Sequence, residues 1–378
     1  MVDQARAGAS MGVDTEFMRE KTYRARLCLV QVSTREEIYL IDPLEDHDLG
    51  QVATLIADES VQTLVHAGRQ DFEIFYERWG AVPANVFDVQ LAAGYAGFGA
   101  SLPYGRLVEA VTGATISKGE SYTDWCRRPL TKAQLSYAAD DVAYLHVIAD
   151  VLKDRLRISG RLDWAAQEMA VFETVDLYEL DPDEVYKKVS GRGNLSGKQL
   201  AVLRAIARWR EEVAMKRDIP RGWVIKDQTL IEIARRGPSS VDDLRNLRGM
   251  VAKEADRSAP EILEAIDRGR KALPVETSSG PSRSAQARAR TLAGLADAIV
   301  RSRCDAAGIA PELVSTRGEL ESLLADVFDG GPEPTRHRML QGWRAELVGS
   351  AVVDLAKGRI AVRSIDKPPY IEEVPLSS

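Results

Sequence analysis

Strand-like patterning is confined to the front of this chain, and that confinement limits the folds open to it. MGVDTEF (11–17), LCLVQVST (27–34) and EIYLIDPL (37–44) read as strands, with Arg24 and Arg26 flanking a hairpin turn between the first two. VQTLVHA (61–67) reads as a further buried strand. Helical spacing follows, with Phe72, Phe75, Tyr76 and Trp79 on one face of 69–79. Residues 88–113 read as two helices broken at YAGFGAS, and Thr131 as the N-cap of a long helix running to about Leu156. Strands first, with helices interleaved afterwards, predict an α/β domain over residues 1–160.

Behind it the chain is helical. Residues 161–196 read as a helical connector, closed by a loop at Gly191 and Gly193. Residues 197–273 show helical periodicity throughout, with GPSS at 237–240 as a turn. PVETSSGPSRS (274–284) is the clearest linker, and 285–378 form a last helical module and tail. Ile219, Val224, Leu230 and Ile233 match Ile309, Val314, Leu320 and Leu323 at an offset of 90, which suggests two copies of one helical module.

The net charge is −7, but its distribution matters more than its sum. Residues 1–158 carry 16 Lys and Arg against 23 Asp and Glu, a balance of −7. Residues 197–273 carry 17 against 12, a balance of +5. An acidic site suits divalent cations and a basic module suits phosphates. Cys28, Cys126 and Cys304 are too few and too far apart for a disulfide framework or a zinc site, so all three are expected as reduced thiols. The start of the chain lacks the apolar stretch of a signal peptide and no apolar run is long enough for a membrane span, which predicts a cytoplasmic protein.

Three segments supply acids in a suggestive order. In VDTEF, Asp14 and Glu16 are two apart on a strand and share a face. Two carboxylates at the end of a buried strand repel each other and lose solvation, a cost a cation between them relieves. In LVHAGRQDFEIF, Asp71 falls near a helix start, and His66 ends the strand before it as a buried, hydrogen-bonded residue. In LSYAADDVAYL, Tyr137 and Asp141 are four apart on one helix face, with Leu135, Val142 and Leu145 on the buried side and Asp140 turned away.

Taken together, VDTEF, LVHAGRQDFEIF, Asp88 in FDVQLA and TDWCRRPLTKAQLSYAADDVAYL resemble the DEDDy exonucleases, and most of all bacterial ribonuclease D. LRAIARWREEVAMKRDIP, VIKDQTLIEIARRGP and LRNLRG resemble the helicase-and-RNase-D C-terminal module, HRDC, and the last module a degenerate second copy. The resemblance implies a ribonuclease H-like mixed-sheet exonuclease domain followed by two all-α HRDC bundles. Family members usually carry a helix and further chain before the Asp-x-Glu strand, whereas about ten residues precede it here.

The implied activity is 3′-to-5′ exoribonucleolysis, releasing nucleoside 5′-monophosphates from single-stranded RNA 3′ ends, above all in transfer RNA precursors. Asp14, Glu16, Asp71 and Asp141 are then ligands of two Mg²⁺ or Mn²⁺ ions, and Tyr137 positions the nucleophilic water. Arg204, Arg208, Lys216, Arg217 and Lys226 are candidate phosphate contacts in the first HRDC module. Trp209 is expected in that module's core. Tandem modules closing into a ring imply a monomer. The competing readings are a single-stranded DNA exonuclease and a non-catalytic RNA-binding adaptor.

Overall fold

The structure, a computed structural model, describes residues 1–376 apart from 46–48, 117, 118, 120–122 and 277–279. Part of the 274–284 linker therefore lies outside the described residues. A short helix α1 (Val2–Ala7) occupies the stretch before the first strand, burying Ala5. The roughly ten residues before the Asp-x-Glu strand thus include a short helix. Strands β1 (Ser10–Met18), β2 (Arg26–Ser33) and β3 (Ile38–Ile41) follow. Then come α2 (Gly50–Ile56), β4 (Gln62–Val65), α3 (Arg69–Trp79), β5 (Val86–Asp88), α4 (Val89–Tyr95) and α5 (Tyr104–Thr112).

The sheet order is β3-β2-β1-β4-β5. β1 runs antiparallel to β2 and parallel to β4, so the sheet is mixed and β1 sits at its centre. Central placement explains why Met11 and Val13 are buried on both sides of the Gly12 backbone. Gly12 itself admits no larger residue. A Cβ there would run into Ser33 Oγ and lie 2.9 Å from Leu145 Cδ1.

Thr131 caps as expected, in a capping box with Gln134. The single long helix does not form. The chain breaks at Tyr144 into α6 (Lys132–Ala143) and α7 (Leu145–Ile158). The break lets α6 lie on β1, β2 and β3 while α7 packs against α4, α5 and β4, two directions one straight helix cannot serve. The buried face of α6 is Gln134, Ala138 and Val142, and Leu135 is exposed rather than buried. Helix α8 (Leu162–Met169) packs on α4 and β5, so the first domain reaches past residue 160 into the expected connector.

Cys28 and Cys126 are joined by a disulfide, with Cα atoms 5.3 Å apart, whereas all three cysteines were expected as thiols. Their separation of 98 residues hides the contact in the sequence. Packing of Trp125 and Ala138 beside Cys28 and Leu29 closes it. Cys304 is free and buried, as expected.

The first helical module comprises α9 (Gly197–Arg217), α10 (Arg221–Val224), α11 (Asp227–Arg236), α12 (Val241–Arg245) and α13 (Ala252–Lys271) around its own core. Trp209 is buried in it and Trp223 is exposed. The module is tied to the β1–β2 turn. Asp218 Oδ1 accepts from the Tyr23 and Arg24 amides at 3.0 and 3.1 Å, the Tyr23 hydroxyl donates to Glu211, and the Arg221 guanidinium lies over the Tyr23 ring.

The last module holds α14 (Arg283–Ala307), α15 (Arg317–Phe328), α16 (Gly342–Arg344) and α17 (Ser350–Ala356). It shares one hydrophobic core with the first domain. Trp343 stacks on Trp164 at 4.7 Å and meets Tyr95 edge-on, and Arg344 reaches Glu168 and the Tyr95 hydroxyl. The tail is not helical. It forms a hairpin of β6 (Ile360–Ser364) and β7 (Ile371–Pro375), fixed by Arg303 on Glu373 at 2.7 Å.

Candidate active site

The acids of the first domain come from three elements that the fold brings to one end of the sheet. Asp14 and Glu16 leave the same face of β1. Asp71 lies in the first turn of α3 and is buried. Tyr137 and Asp141 descend from α6, which crosses that face. All five line one cleft of about 300 Å³, together with His66, Gln70 and Tyr104.

Within it, ligand oxygens of Asp14, Glu16 and Asp141 all lie within 4.8 Å of one another. Asp71 stands beside this trio, accepting a hydrogen bond from the Thr15 hydroxyl. The Tyr137 hydroxyl is hydrogen-bonded to Asp141, and its ring packs 6.0 Å from Trp125.

These carboxyls are close to each other and partly withdrawn from water, Asp71 most fully. Burial raises Asp14 well above the usual carboxylate range, with Asp71, Asp141 and Glu16 adding repulsion. Burial and the charges of Asp141 and Asp71 push Glu16 up to about 8. Asp71 and Asp141 rise to about 7, chiefly through burial. A cluster so costly to ionise alone is one that a divalent cation relieves. Its donors are all oxygen, which suits a hard ion such as Mg²⁺ or Mn²⁺ rather than zinc.

Two supporting residues stood in the segments that carry the resemblance, but their roles could not be read from the sequence. Asp88 caps α4 through the Gln90 and Leu91 amides, and also accepts from the Ala67 and Gly68 amides at 3.2 Å. It thereby fixes the turn from β4 into α3, where Ala67 has φ of 58°, and so places Asp71. Arg128 of the TDWCRRPL segment bonds the Cys28 carbonyl at 2.6 Å and Asp42 at 2.7 Å, fastening the lead into α6 to the sheet. Asp88 entered the sequence reading only as part of the resemblance, and both of its roles need the fold. His66 is not among the clustered acids' contacts, and its Nε2 bonds the Leu102 carbonyl at 2.9 Å.

The candidate phosphate contacts divide in two. Arg204, Lys216 and Lys226 make no ion pair among the described residues. Arg208 pairs with Asp183 and Glu212, and Arg217 is largely covered, holding Glu254 at 2.9 Å and Ser258 at 3.1 Å. None of the five lines the acidic cleft.

Comparison with known proteins gives the same reading. A family model described as a 3′-5′ exonuclease matches residues 1–157, and one for the HRDC domain matches 199–266. Ribonuclease D of Acidiphilium cryptum is 35% identical over 99% of this chain and 95% of its own length. That of Gluconacetobacter diazotrophicus is 37% identical over 95% and 91%. The crystal structure of Escherichia coli RNase D, described as an exoribonuclease involved in structured RNA processing, superposes with a TM-score of 0.81. It is 28% identical and covers 94% of this chain and 95% of its own. With a mixed-sheet exonuclease domain, an HRDC domain and relatives matched along almost their whole length, this chain belongs to the ribonuclease D family of 3′-5′ exoribonucleases.

Proposed function

We propose that the cleft removes nucleotides one at a time from RNA 3′ ends as nucleoside 5′-monophosphates, using two divalent ions held by Asp14, Glu16, Asp71 and Asp141. The observation that carries this reading is the convergence of Asp14, Glu16 and Asp141 oxygens within 4.8 Å in a cleft also lined by Asp71 and Tyr137. When bound, such a pair of ions lowers the pKa of the attacking water and stabilises charge on the departing 3′ oxygen.

The chain's own residues supply the rest. Asp14 and Glu16 on the central strand, and Asp141 on α6, set the ligand geometry from two elements packed against each other. Tyr137, bonded to Asp141, orients the water through its hydroxyl. A phenol with an ordinary pKa of about 10 is a poor base at neutral pH, so its work is positioning.

Arg204, Lys216 and Lys226 serve as phosphate contacts that hold the strand without reading its sequence. Arg208 and Arg217 are better explained as ion-pair partners within the module. The last module is a second HRDC-like copy. Asp218 and Gly308, both in the left-handed region, close α9 and α14 at the same offset of 90 that relates the apolar positions. The substrates are structured RNAs with a free single-stranded 3′ end, notably transfer RNA precursors, handled by a monomer in the cytoplasm. Among the described residues, no helix is long and apolar enough to cross a membrane.

The test is a time course on 5′-labelled single-stranded RNA with Mg²⁺, Mn²⁺ or EDTA, run beside DNA of the same sequence. A ladder shortening from the 3′ end, absent in EDTA, is expected. Preference for DNA would replace the RNA reading, and intact RNA with clear binding would favour an adaptor.

A further inference from the structure

Gln31 is a fully buried polar residue with no visible partner. Its exposure is 0%, and neither Oε1 nor Nε2 of its carboxamide makes a hydrogen bond among the described residues. An unpaired buried amide of this kind destabilises the fold that holds it. Its place in the fold says what it is for.

Gln31 lies on β2 directly opposite Asp14 on β1. Residues opposite each other in an antiparallel pair share a face, with Cβ atoms about 5 Å apart. Gln31 therefore points to the face of the sheet that carries Asp14 and Glu16, the face covered by α6. Its neighbours along the strand confirm this. Leu29 packs against Ala138 and Trp125, and Ser33 Oγ donates to the Val142 carbonyl at 2.9 Å. Across β3 its neighbour is Leu40. The carboxamide thus sits beneath the α6 turn that holds Asp141, with apolar side chains around it and the Ser33 hydroxyl already engaged. The polar side chain directly across the strand pair is Asp14, and the Trp125 indole N–H, in the cluster around Leu29, is likewise without a partner.

We infer that Gln31 is a positioning residue of the metal centre, its Nε2–H donating to the Asp14 carboxylate when cations are bound. The inference rests on the metal-dependent reading above. A carboxylate that ligates a cation from a buried strand needs its remaining lone pairs held, and such supporting partners raise metal affinity and fix orientation. Gln31 is the side chain placed to do so. Its orphaned state is then a reserve set aside for the loaded site.

The experiment measures Mn²⁺ binding by calorimetry, and thermal stability in EDTA, for the full chain, Gln31→Met and Asp14→Asn. Methionine conserves volume and removes both polar atoms. Gln31→Met is expected to bind Mn²⁺ about tenfold or more weakly, while its thermal midpoint in EDTA holds or rises because a buried unpaired amide is gone. A lower midpoint with Mn²⁺ affinity unchanged would make Gln31 merely structural and overturn the inference. Asp14→Asn separates the two levels, since undiminished Mn²⁺ binding by that variant would overturn the metal reading itself. Should Gln31→Met fail to fold, the wild-type protein decides. With ¹⁵N-glutamine labelling and assignment through Gln31→Asn, the Gln31 side-chain amide signal is expected to shift on Mg²⁺ addition, and a signal that stays in place overturns the inference.

Discussion

The Thr15 hydroxyl donates to Asp71 Oδ1, so the residue between the two acids of β1 holds the acid of α3. Thr15 is buried at 6% exposure. Thr15→Val keeps the shape and removes the hydroxyl bond, leaving Asp71 to its backbone hydrogen bonds alone. Loss of a buried bond to a charged group costs about 1.5–3 kcal/mol. The expected outcome is a ten- to hundredfold rise in the Mn²⁺ concentration needed for half-maximal activity, by the order expected of a ligand-supporting residue. An unchanged metal requirement would separate Asp71 from the centre.

Asp14 is the acid most hindered by its neighbours, since Asp71, Asp141 and Glu16 all oppose its charge. Asp14→Asn is expected to lower exonuclease turnover by on the order of 10³-fold or more, as loss of an ion stabilising several kcal/mol of transition-state charge requires. The same change relieves repulsion, so the thermal midpoint in EDTA should rise. RNA binding in Ca²⁺, read by gel shift, should persist. Full activity would mean the wrong cleft has been identified.

The raised acids also set the direction of pH dependence. Glu16 titrates near 8 and Asp71 and Asp141 near 7 in the folded chain, against 4.5 and 3.8 in the ordinary state. Between those limits the folded protein holds more protons than the unfolded one, so stability in EDTA falls as pH rises from about 4 to about 8. Saturating Mn²⁺ should flatten that decline, because the ion takes the place of the protons. Thermal midpoints at a series of pH values, with EDTA and with Mn²⁺, check both slopes. A decline equally steep in both would assign it to groups elsewhere.

Tyr137→Phe keeps the ring against Trp125 and removes the hydroxyl from Asp141. Turnover is expected to drop about 10²-fold, the scale of a reacting group left misplaced, with KM for RNA nearly unchanged. Single-turnover kinetics would expose the alternative, a rise in KM alone, which would assign Tyr137 to substrate binding.

Gly12→Ala tests the seating of the central strand. The added Cβ meets Ser33 Oγ and comes within 2.9 Å of Leu145 Cδ1, both in packed surroundings. Overpacking of this kind costs about 1–3 kcal/mol. A lower urea midpoint and weakened Mn²⁺ binding are expected together, since β1 shifts with Asp14 and Glu16 attached.

Much of this was written locally. Asp14 with Glu16, and Tyr137 with Asp141, are set by the two-residue repeat of a strand and the four-residue repeat of a helix, so their shared faces follow from spacing alone. Asp71 stands at a helix start, where an acid suits the macrodipole anyway, so its part in the site came from the resemblance and not from spacing. What stayed hidden depends on elements far apart in sequence. The break at Tyr144 answers to two packing directions, the disulfide to Trp125 closing on β2, and the role of Gln31 to which residue faces it across the strand. The terminal hairpin escaped because IAVRS and IEEVP are short and half polar, and become strands only by pairing with each other.

The core shared by the first domain and the last module also bears on how the chain is made. The surface around Tyr95 and Trp164 is complete only once Trp343 and Arg344 have arrived. At roughly 5–20 residues per second, the stretch from Ile158 to Trp343 takes about 10–40 s to emerge from a ribosome. For that interval an otherwise finished catalytic sheet carries a bare apolar flank. A premature stop in the last module would therefore leave behind a sticky product rather than a shorter enzyme.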